Sequence, residues 1–282
     1  MDRLKQDIEE TLVLSGRKRR YLLHLPPDRR PSKPFPLLIA LHGRYETGPQ
    51  MMKQTRFDRV ADKGKFALVC PTGVKRSWAD GRGISHADVM GIDDIGFVEA
   101  LIKTAEKKFS ADPRRIFLLG FSNGGSMVHR LALDRPQLFS GAAVVSAAIP
   151  QSAGDEIKPG VPVPMMFVYG TADPVTPYNG GPMPGGYTAM SVEQVAGIWA
   201  ERNGCGPRPS VKKRPGPEKG TSVIVSSFDD CDGGKGVKLI TITGGGHAWP
   251  GAAEGPDGRD STQTGIGFNL SQAIWDFFHC FI

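Results

Sequence analysis

The sequence predicts an α/β protein built on one doubly wound, mostly parallel sheet with helices on both faces. Three observations point there. Short apolar runs of strand length alternate with longer segments of helical period along most of the chain. A hairpin pattern precedes the first of these units. A glycine-rich turn, Gly120-Phe121-Ser122-Asn123-Gly124, lies between an apolar run and a helical segment near the middle of the alternation. At 282 residues, one large α/β domain spanning 1–282 accounts for the whole chain.

The elements follow in order. The apolar runs LVL (12–14) and YLLHL (21–25) flank Ser15-Gly16, and Arg17 to Arg20 reads as the solvated edge of the resulting N-terminal hairpin. FPLLIALHG (35–43) reads as a buried strand, followed by a helix from about Gln50 to Asp62 ended by Gly64. FALVCPTG (66–73) is the next strand, and a loop from Val74 to Gly91 carries Trp78. Asp93 or Asp94 caps a helix whose Phe97, Leu101, Ile102 and Ala105 recur at helical spacing. RIFLLG (115–120) is a strand, NGGSMVHRLALD (123–134) a helix stopped near Pro136, and GAAVVSAAI (141–149) another strand. PMMFVYG (164–170) adds a strand, and SVEQVAGIWAERNG (191–204) a helix with a serine start and a glycine stop. From 204 to 220 the chain is dense in Gly, Pro, Lys and Arg without apolar period and reads as an exposed loop. Two further strands, TSVIVSSF (221–228) and GVKLITITG (236–244), and a last helix, SQAIWDFFHCFI (271–282), are too little for a second domain. No internal repeat is visible, which excludes solenoids and propellers.

Composition narrows the function classes. The 35 basic and 29 acidic side chains leave a net charge of +6, and the basic cluster has only Tyr21 nearby for stacking, so nucleic acid is not an expected partner. No apolar run reaches the roughly 18 residues a membrane span needs. The opening MDRLKQDIEE does not resemble a signal peptide, so either the protein is cytoplasmic or a leader was removed. Four cysteines without a C-x-x-C pair offer no zinc spacing, and no metal is expected. Cys70 and Cys280 sit in apolar runs and read as small buried hydrophobes. Cys205 and Cys231 stand in polar, glycine-rich loops 26 positions apart, where a disulfide could restrain an irregular excursion and would favour an extracellular or periplasmic location.

The strand-to-helix placement of Ser122 is the context in which a serine is presented as a nucleophile above a sheet. A serine hydroxyl needs a histidine base and a carboxylate to orient it. Of six histidines, His247 in ITGGGHAWPG lies beyond a strand among glycines that let its loop reach another strand end. His129 falls within a helix, His24 and His279 within apolar runs, and His86 reads as an exposed loop residue. His42 precedes the loop expected to hold an oxyanion and supports it. Asp173, directly after PMMFVYG and stiffened by Pro174 and Pro177, is the expected acid; Asp155, Asp229 and Asp230 lack a preceding strand of that quality. The order Ser122, Asp173, His247 is the α/β-hydrolase order. For the oxyanion, the backbone N–H of Asn123 and that of Arg44 are the expected donors, with Tyr45 as the alternative to Arg44.

Six stretches, LHGRYETG, PTGVKRSW, DDIGFVEALI, DPRRIFLLGFSNGG, YGTADPVTPYNGG and ITGGGHAWPG, occur in the order found in the polyhydroxybutyrate depolymerase and feruloyl esterase group of secreted serine esterases. Over nearly its whole length the chain resembles that group, which belongs to carbohydrate esterase family one of the α/β hydrolases. The resemblance implies a cofactor-independent esterase without a large cap domain, with Ser122, Asp173 and His247 as catalytic residues and an oxyanion hole near Arg44 and Asn123. It implies that Cys205 and Cys231 pair, and that Trp78 is an aromatic wall beside the nucleophile. Trp249, two residues after His247, is expected to line the same cleft or to brace the histidine loop. Arg44 and Tyr45 stand where relatives commonly carry small residues or a cysteine, suggesting an entrance that is narrower or suited to acidic leaving groups.

The expected substrates are small or oligomeric esters: short polyhydroxyalkanoates, hydroxycinnamoyl esters, or acetyl and other small acyl esters. The expected mechanism runs through an acyl-enzyme on a monomer or weak homodimer. An acyltransferase using the same three residues, or a non-catalytic binding module of the same fold, are the alternatives.

Overall fold

The computed structural model describes residues 7–27, 34–157, 160–215, 220–251 and 268–282, the side chains of 155 and 156 excepted. In chain order the strands and α-helices are β1 (Asp7–Leu14), β2 (Arg17–His24), β3 (Phe35–Leu41), α1 (Gly48–Thr55), α2 (Phe57–Gly64), β4 (Ala67–Pro71), α3 (His86–Val89), α4 (Asp94–Phe109), β5 (Ala111–Phe121), α5 (Asn123–Asp134), β6 (Gly141–Val145) and β7 (Met165–Gly170). There follow β8 (Gly181–Met183), β9 (Tyr187–Ala189), α6 (Val192–Arg202), β10 (Ser210–Pro215), β11 (Ser222–Phe228), β12 (Val237–Thr243) and α7 (Leu270–His279).

Ten strands form one sheet in the order β1-β2-β4-β3-β5-β6-β7-β12-β11-β10. The six from β4 to β12 are parallel, and antiparallel ribbons extend both ends. The parallel strands read as unbroken apolar runs because both faces are covered, and every residue of β3, β4, β6 and β7 is buried. Alternate residues serve different cores. Leu37, Ile39 and Leu41 pack with Phe97, Leu101, Val128 and Trp199 from α4, α5 and α6, whereas Leu38 and Ala40 pack with Phe57, Phe66, Trp275 and Phe278 from α2, α7 and the segment before β4. Chain order reverses between β3 and β5, the switch point of an open sheet, where loops leave in opposite directions and a crevice opens.

Several elements differ from expectation. The helix expected over 50–62 is two helices, because Arg56 adopts a left-handed conformation (φ 53°) and its N–H closes α1 on the Met52 carbonyl. The basic cluster after Ser15-Gly16 is not an edge: β1 takes the edge, and Arg19 of β2 is buried, pairing with Asp94 and lying 3.8 Å from the Phe97 ring centre. Asp93 therefore caps α4 through Gly96 N–H, while the neighbouring Asp94 carboxylate takes Arg19 and the Ala79 N–H. The stretch read as an exposed loop contains β10, whose residues are all exposed, so a two-sided solvated edge strand leaves no apolar period to detect. Cys70 is buried as expected, but Cys280 is exposed just past α7.

Cys205 and Cys231 form a disulfide between the end of α6 and the loop after β11. Gly206 N–H on Asp230 O (2.8 Å) and Asp232 N–H on Asn203 O (2.9 Å) flank it. Closing a loop of this length contributes about 3 kcal/mol by restricting the unfolded chain. Denatured, unreduced protein should therefore titrate two thiols, those of Cys70 and Cys280, and replacing both bridge cysteines by serine should lower the urea-unfolding free energy by roughly that amount. Four titrating thiols would overturn the bridge.

Candidate active site

Four loops converge at the carboxyl ends of β3, β5, β7 and β12. The turn between β5 and α5 sets the first of them. Ser122 sits at φ 52°, ψ −120°, a conformation unfavourable for a residue with a side chain. Its N–H donates to Val145 O (2.9 Å) and its carbonyl accepts the Ser126 N–H (3.0 Å), so the turn is held from both sides. The flanking glycines are required by close approach: a Cβ on Gly120 would run into the Gly124 backbone, and one on Gly124 into the carbonyls of Leu41 and His42. The G-x-S-x-G pattern is thus what lets the serine turn pack against the start of the loop after β3.

Beyond β7, Asp173 Oδ1 accepts the N–H groups of Val175 and Thr176 (2.8 Å each), and Oδ2 accepts the Thr176 hydroxyl at 2.6 Å. The same Oδ2 lies 2.8 Å from His247 Nδ1, and His247 Nε2 lies 3.1 Å from Ser122 Oγ. Burial pushes the Asp173 carboxyl up, but the bonds from His247 and Thr176 outweigh it and hold the group below the usual carboxylate range. An ionised Asp173 keeps Nδ1 protonated and leaves Nε2 free to accept the serine proton. The ring of Phe121 lies 5.0 Å from that of His247. The structure brings together the three residues that sequence reasoning singled out.

The loop after β3 is organised by His42. Its Nδ1–H donates to Gly43 O (2.7 Å) and its Nε2 accepts the Gly73 N–H (3.0 Å), an arrangement that only the neutral ring can make. Burial lowers its pKa to about 4, against a rise from the Gly43 carbonyl. The Gly43 carbonyl also accepts the Glu46 N–H (3.3 Å), and Gly43 N–H donates to Glu46 Oε2 (2.9 Å), which closes the turn. Because the peptide is trans, fixing the Gly43 carbonyl on His42 sends the Arg44 N–H to the opposite side. Among the described residues neither that N–H nor the Asn123 N–H has a backbone or side-chain acceptor. The alternative donor, Tyr45 N–H, is engaged by Arg76 O at 2.8 Å.

Trp78 and Trp249 are not where a substrate-lining role would put them. Trp78 is fully buried: its Nε1–H donates to His42 O (2.9 Å), its backbone N–H to Asn123 Oδ1 (2.8 Å), and its ring lies 4.9 Å from that of His42. It joins the two segments that carry the free N–H groups instead of forming a wall. Trp249 is buried on Phe57 and Phe121 with Nε1–H on Ser271 Oγ (3.2 Å), so it braces the histidine loop against α7. Tyr45 is 56% exposed.

Sequence reasoning missed a further brace. The Asp80 carboxylate accepts from Asn123 Nδ2 (2.5 Å) and from both Nε (3.0 Å) and Nη2 (2.6 Å) of Arg82, whose Nη1 donates to Tyr187 Oη on β9 at 2.9 Å. The Asp80 and Arg82 positions lie within the long loop containing Trp78, and no local pattern distinguishes them from solvated charges. Glu46 was missed for the same reason. Among the described residues no cluster of His, Cys, Asp and Glu could hold a metal.

The family model described as Esterase PHB depolymerase matches residues 19–180, more than half of the chain. The chain belongs to this esterase family. It is 31% identical over 254 residues to NocK of Nocardia uniformis subsp. tsuyamanensis, a protein provisionally described as an esterase, covering 85% of this chain and 73% of that one. It is 27% identical to feruloyl esterase C of Emericella nidulans, covering 92% and 83% respectively. The solved acetyl xylan esterase from Aspergillus awamori shares the fold, with a TM-score of 0.58 at 18% identity over 82% of this chain and 90% of that one. As a member of the PHB depolymerase esterases, the chain is a serine esterase with an α/β-hydrolase fold.

Two outcomes follow from this geometry. Trp78→Phe keeps an aromatic ring but leaves the buried His42 carbonyl without its donor, which should cost about 1–3 kcal/mol of stability and lower kcat more than it changes KM. An unchanged kcat would show that Trp78 does not set the loop. His129, buried in α5, has its pKa lowered to about 3, mainly by burial and further by Arg202. The unfolded chain binds a proton near pH 6.5 that the folded chain refuses, so this group's contribution is complete above pH 6.5 and is lost as pH falls toward 3. The stability difference between wild type and His129→Leu should therefore shift against wild type by up to about 1.4 kcal/mol per pH unit below 6.5. A difference constant from pH 7 to pH 5 would overturn the buried neutral state.

Proposed function

We propose that this serine esterase hydrolyses small or oligomeric carboxylic esters through an acyl-enzyme formed on Ser122. The continuous line Asp173 Oδ2, His247 Nδ1, His247 Nε2, Ser122 Oγ, with links of 2.8 and 3.1 Å, is the observation that carries the proposal. His247 takes the serine proton as Oγ attacks the ester carbonyl, then returns it to the departing alkoxide. Water, deprotonated by the same Nε2, attacks the acyl-enzyme and frees the acid. The N–H groups of Arg44 and Asn123 receive the charge on the tetrahedral oxygen, each worth roughly 2.7–4 kcal/mol by comparison with a known donor of this kind.

The names of the relatives favour hydroxycinnamoyl and acetyl esters of polysaccharide as substrates, with short polyhydroxyalkanoate esters as the third class. The Cys205–Cys231 bridge supports an oxidising location, outside the cell or in the periplasm.

The test is kcat/KM on p-nitrophenyl acetate, butyrate and octanoate, methyl ferulate and a hydroxybutyrate oligomer, for wild type and Ser122→Ala. Loss of several orders of magnitude in the variant, with an unchanged Tm, is the expected result. Retained turnover would remove Ser122 from the mechanism, and a wild type inert on every ester would remove the esterase proposal.

A further inference from the structure

Beside the reacting groups the rim carries hydrogen-bond donors that the reaction itself does not use. Arg44, whose main-chain N–H has no acceptor among the described residues, is partly buried, and its guanidinium makes a single long bond, Nη2 to Ile84 O at 3.4 Å. Two residues beyond Ile84, the exposed His86 ring stands edge-on to Tyr45 with centroids 6.5 Å apart. Among the described residues neither the Tyr45 hydroxyl nor the His86 ring has a hydrogen-bond partner, and Arg44 has no carboxylate partner.

The acids nearby are already engaged. Glu46 is turned to the Gly43 N–H, Asp80 holds Arg82 and Asn123, and Asp88 accepts from Ser85 and the Gly81 N–H. Arg82 shows what a neutralised guanidinium looks like here, with both fork positions on Asp80. Arg44 is its opposite: two positions from His42 on the loop after β3, its guanidinium has donors to spare and, among the described residues, no counter-ion.

We propose that Arg44, Tyr45 and His86 form a subsite for a carboxylate carried by the ester substrate, so that the preferred substrates are anionic esters. The inference rests on the serine-esterase reading and narrows it. A guanidinium pairs with a carboxylate in a two-point geometry that a neutral ester group cannot match. The carboxylate belongs either to the acyl part or to the alcohol part of the ester, two sources that substrate choice separates.

The acyl arm compares monoethyl glutarate with ethyl pentanoate, and the alcohol arm 3-acetoxypropanoate with propyl acetate, each followed by pH-stat titration for wild type, Arg44→Gln and Arg44→Lys. In at least one arm the anionic-to-neutral ratio of kcat/KM should fall roughly tenfold or more in Arg44→Gln and be partly kept in Arg44→Lys. In the same arm, raising NaCl from about 20 mM to about 500 mM should lower the wild-type ratio. A second measurement is independent of turnover: calorimetric binding of monoethyl glutarate and of 3-acetoxypropanoate to Ser122→Ala should weaken for at least one of them when Arg44→Gln is added. Ratios equal within about twofold in both arms, together with unchanged binding of both anions, would overturn the subsite while leaving the esterase intact. A wild type inert on the neutral esters and on the anionic ones would instead sink the esterase reading, and the subsite with it.

Discussion

A strained serine backbone is the constraint on which the rest of the site depends. At φ 52° Ser122 occupies a conformation that costs on the order of 1–3 kcal/mol, and it persists because the neighbouring structure leaves no alternative. The Ser122 N–H is tied to β6, its carbonyl begins α5, and two glycines permit the turn to press against β3. That pressure sets the distance between Ser122 and the loop after β3, so the unpaired N–H groups of Arg44 and Asn123 are located by the same contact that strains the serine. A side chain at Gly124 would push the Ser122 turn away from the carbonyls of Leu41 and His42 and so from the loop after β3.

Around this turn the protein spends buried polar groups, and nearly all are satisfied in pairs. His42 bonds both of its ring nitrogens, Trp78 bonds the His42 carbonyl and the Asn123 amide, and Asp80 joins Asn123 to Arg82 and through it to Tyr187 on the β8–β9 hairpin. Such a network holds the segments that carry the unpaired Arg44 and Asn123 N–H groups in one arrangement, as the proposed oxyanion role of those groups requires. Asp173 does the equivalent for His247 from the far side of the crevice. Arg44 stands out because its side chain makes only one long bond, to Ile84 O, and its main-chain N–H is left unpaired among the described residues.

Much of the architecture was legible because periodicity and punctuation report local physics. Buried strands such as Leu37–Leu41 and Met165–Gly170 are apolar on both faces, and helices such as Val192–Arg202 carry a serine cap that also bonds Gln194. Ser122, Asp173 and His247 were legible for a related reason, since each follows a strand and stands among residues that shape a turn. What escaped was carried by side chains whose partners are distant in sequence. Arg19 looks solvated until Asp94, 75 residues away, comes to meet it, and the split between α1 and α2 needs the left-handed Arg56, a residue type that gives no warning. The edge strand β10 escaped because both of its faces are in water.

The parallel β/α core, the positions of Ser122, Asp173 and His247 beyond their strands and the glycines that allow the Ser122 turn are legible in the sequence alone, because each depends on contacts within a few residues or on a regular period. The fate of the tryptophans was decided by tertiary structure. Trp78 and Trp249 have the residue type and the position of cleft aromatics, yet both are enclosed, one beneath the loop after β3 and the other against Phe57 and Phe121. An indole can sit on either side of a loop at equal local cost. Which side is occupied depends on where a carbonyl or hydroxyl acceptor lies, and here the acceptors are His42 O and Ser271 Oγ, 36 and 22 residues away. Only the assembled sheet brings those acceptors within reach.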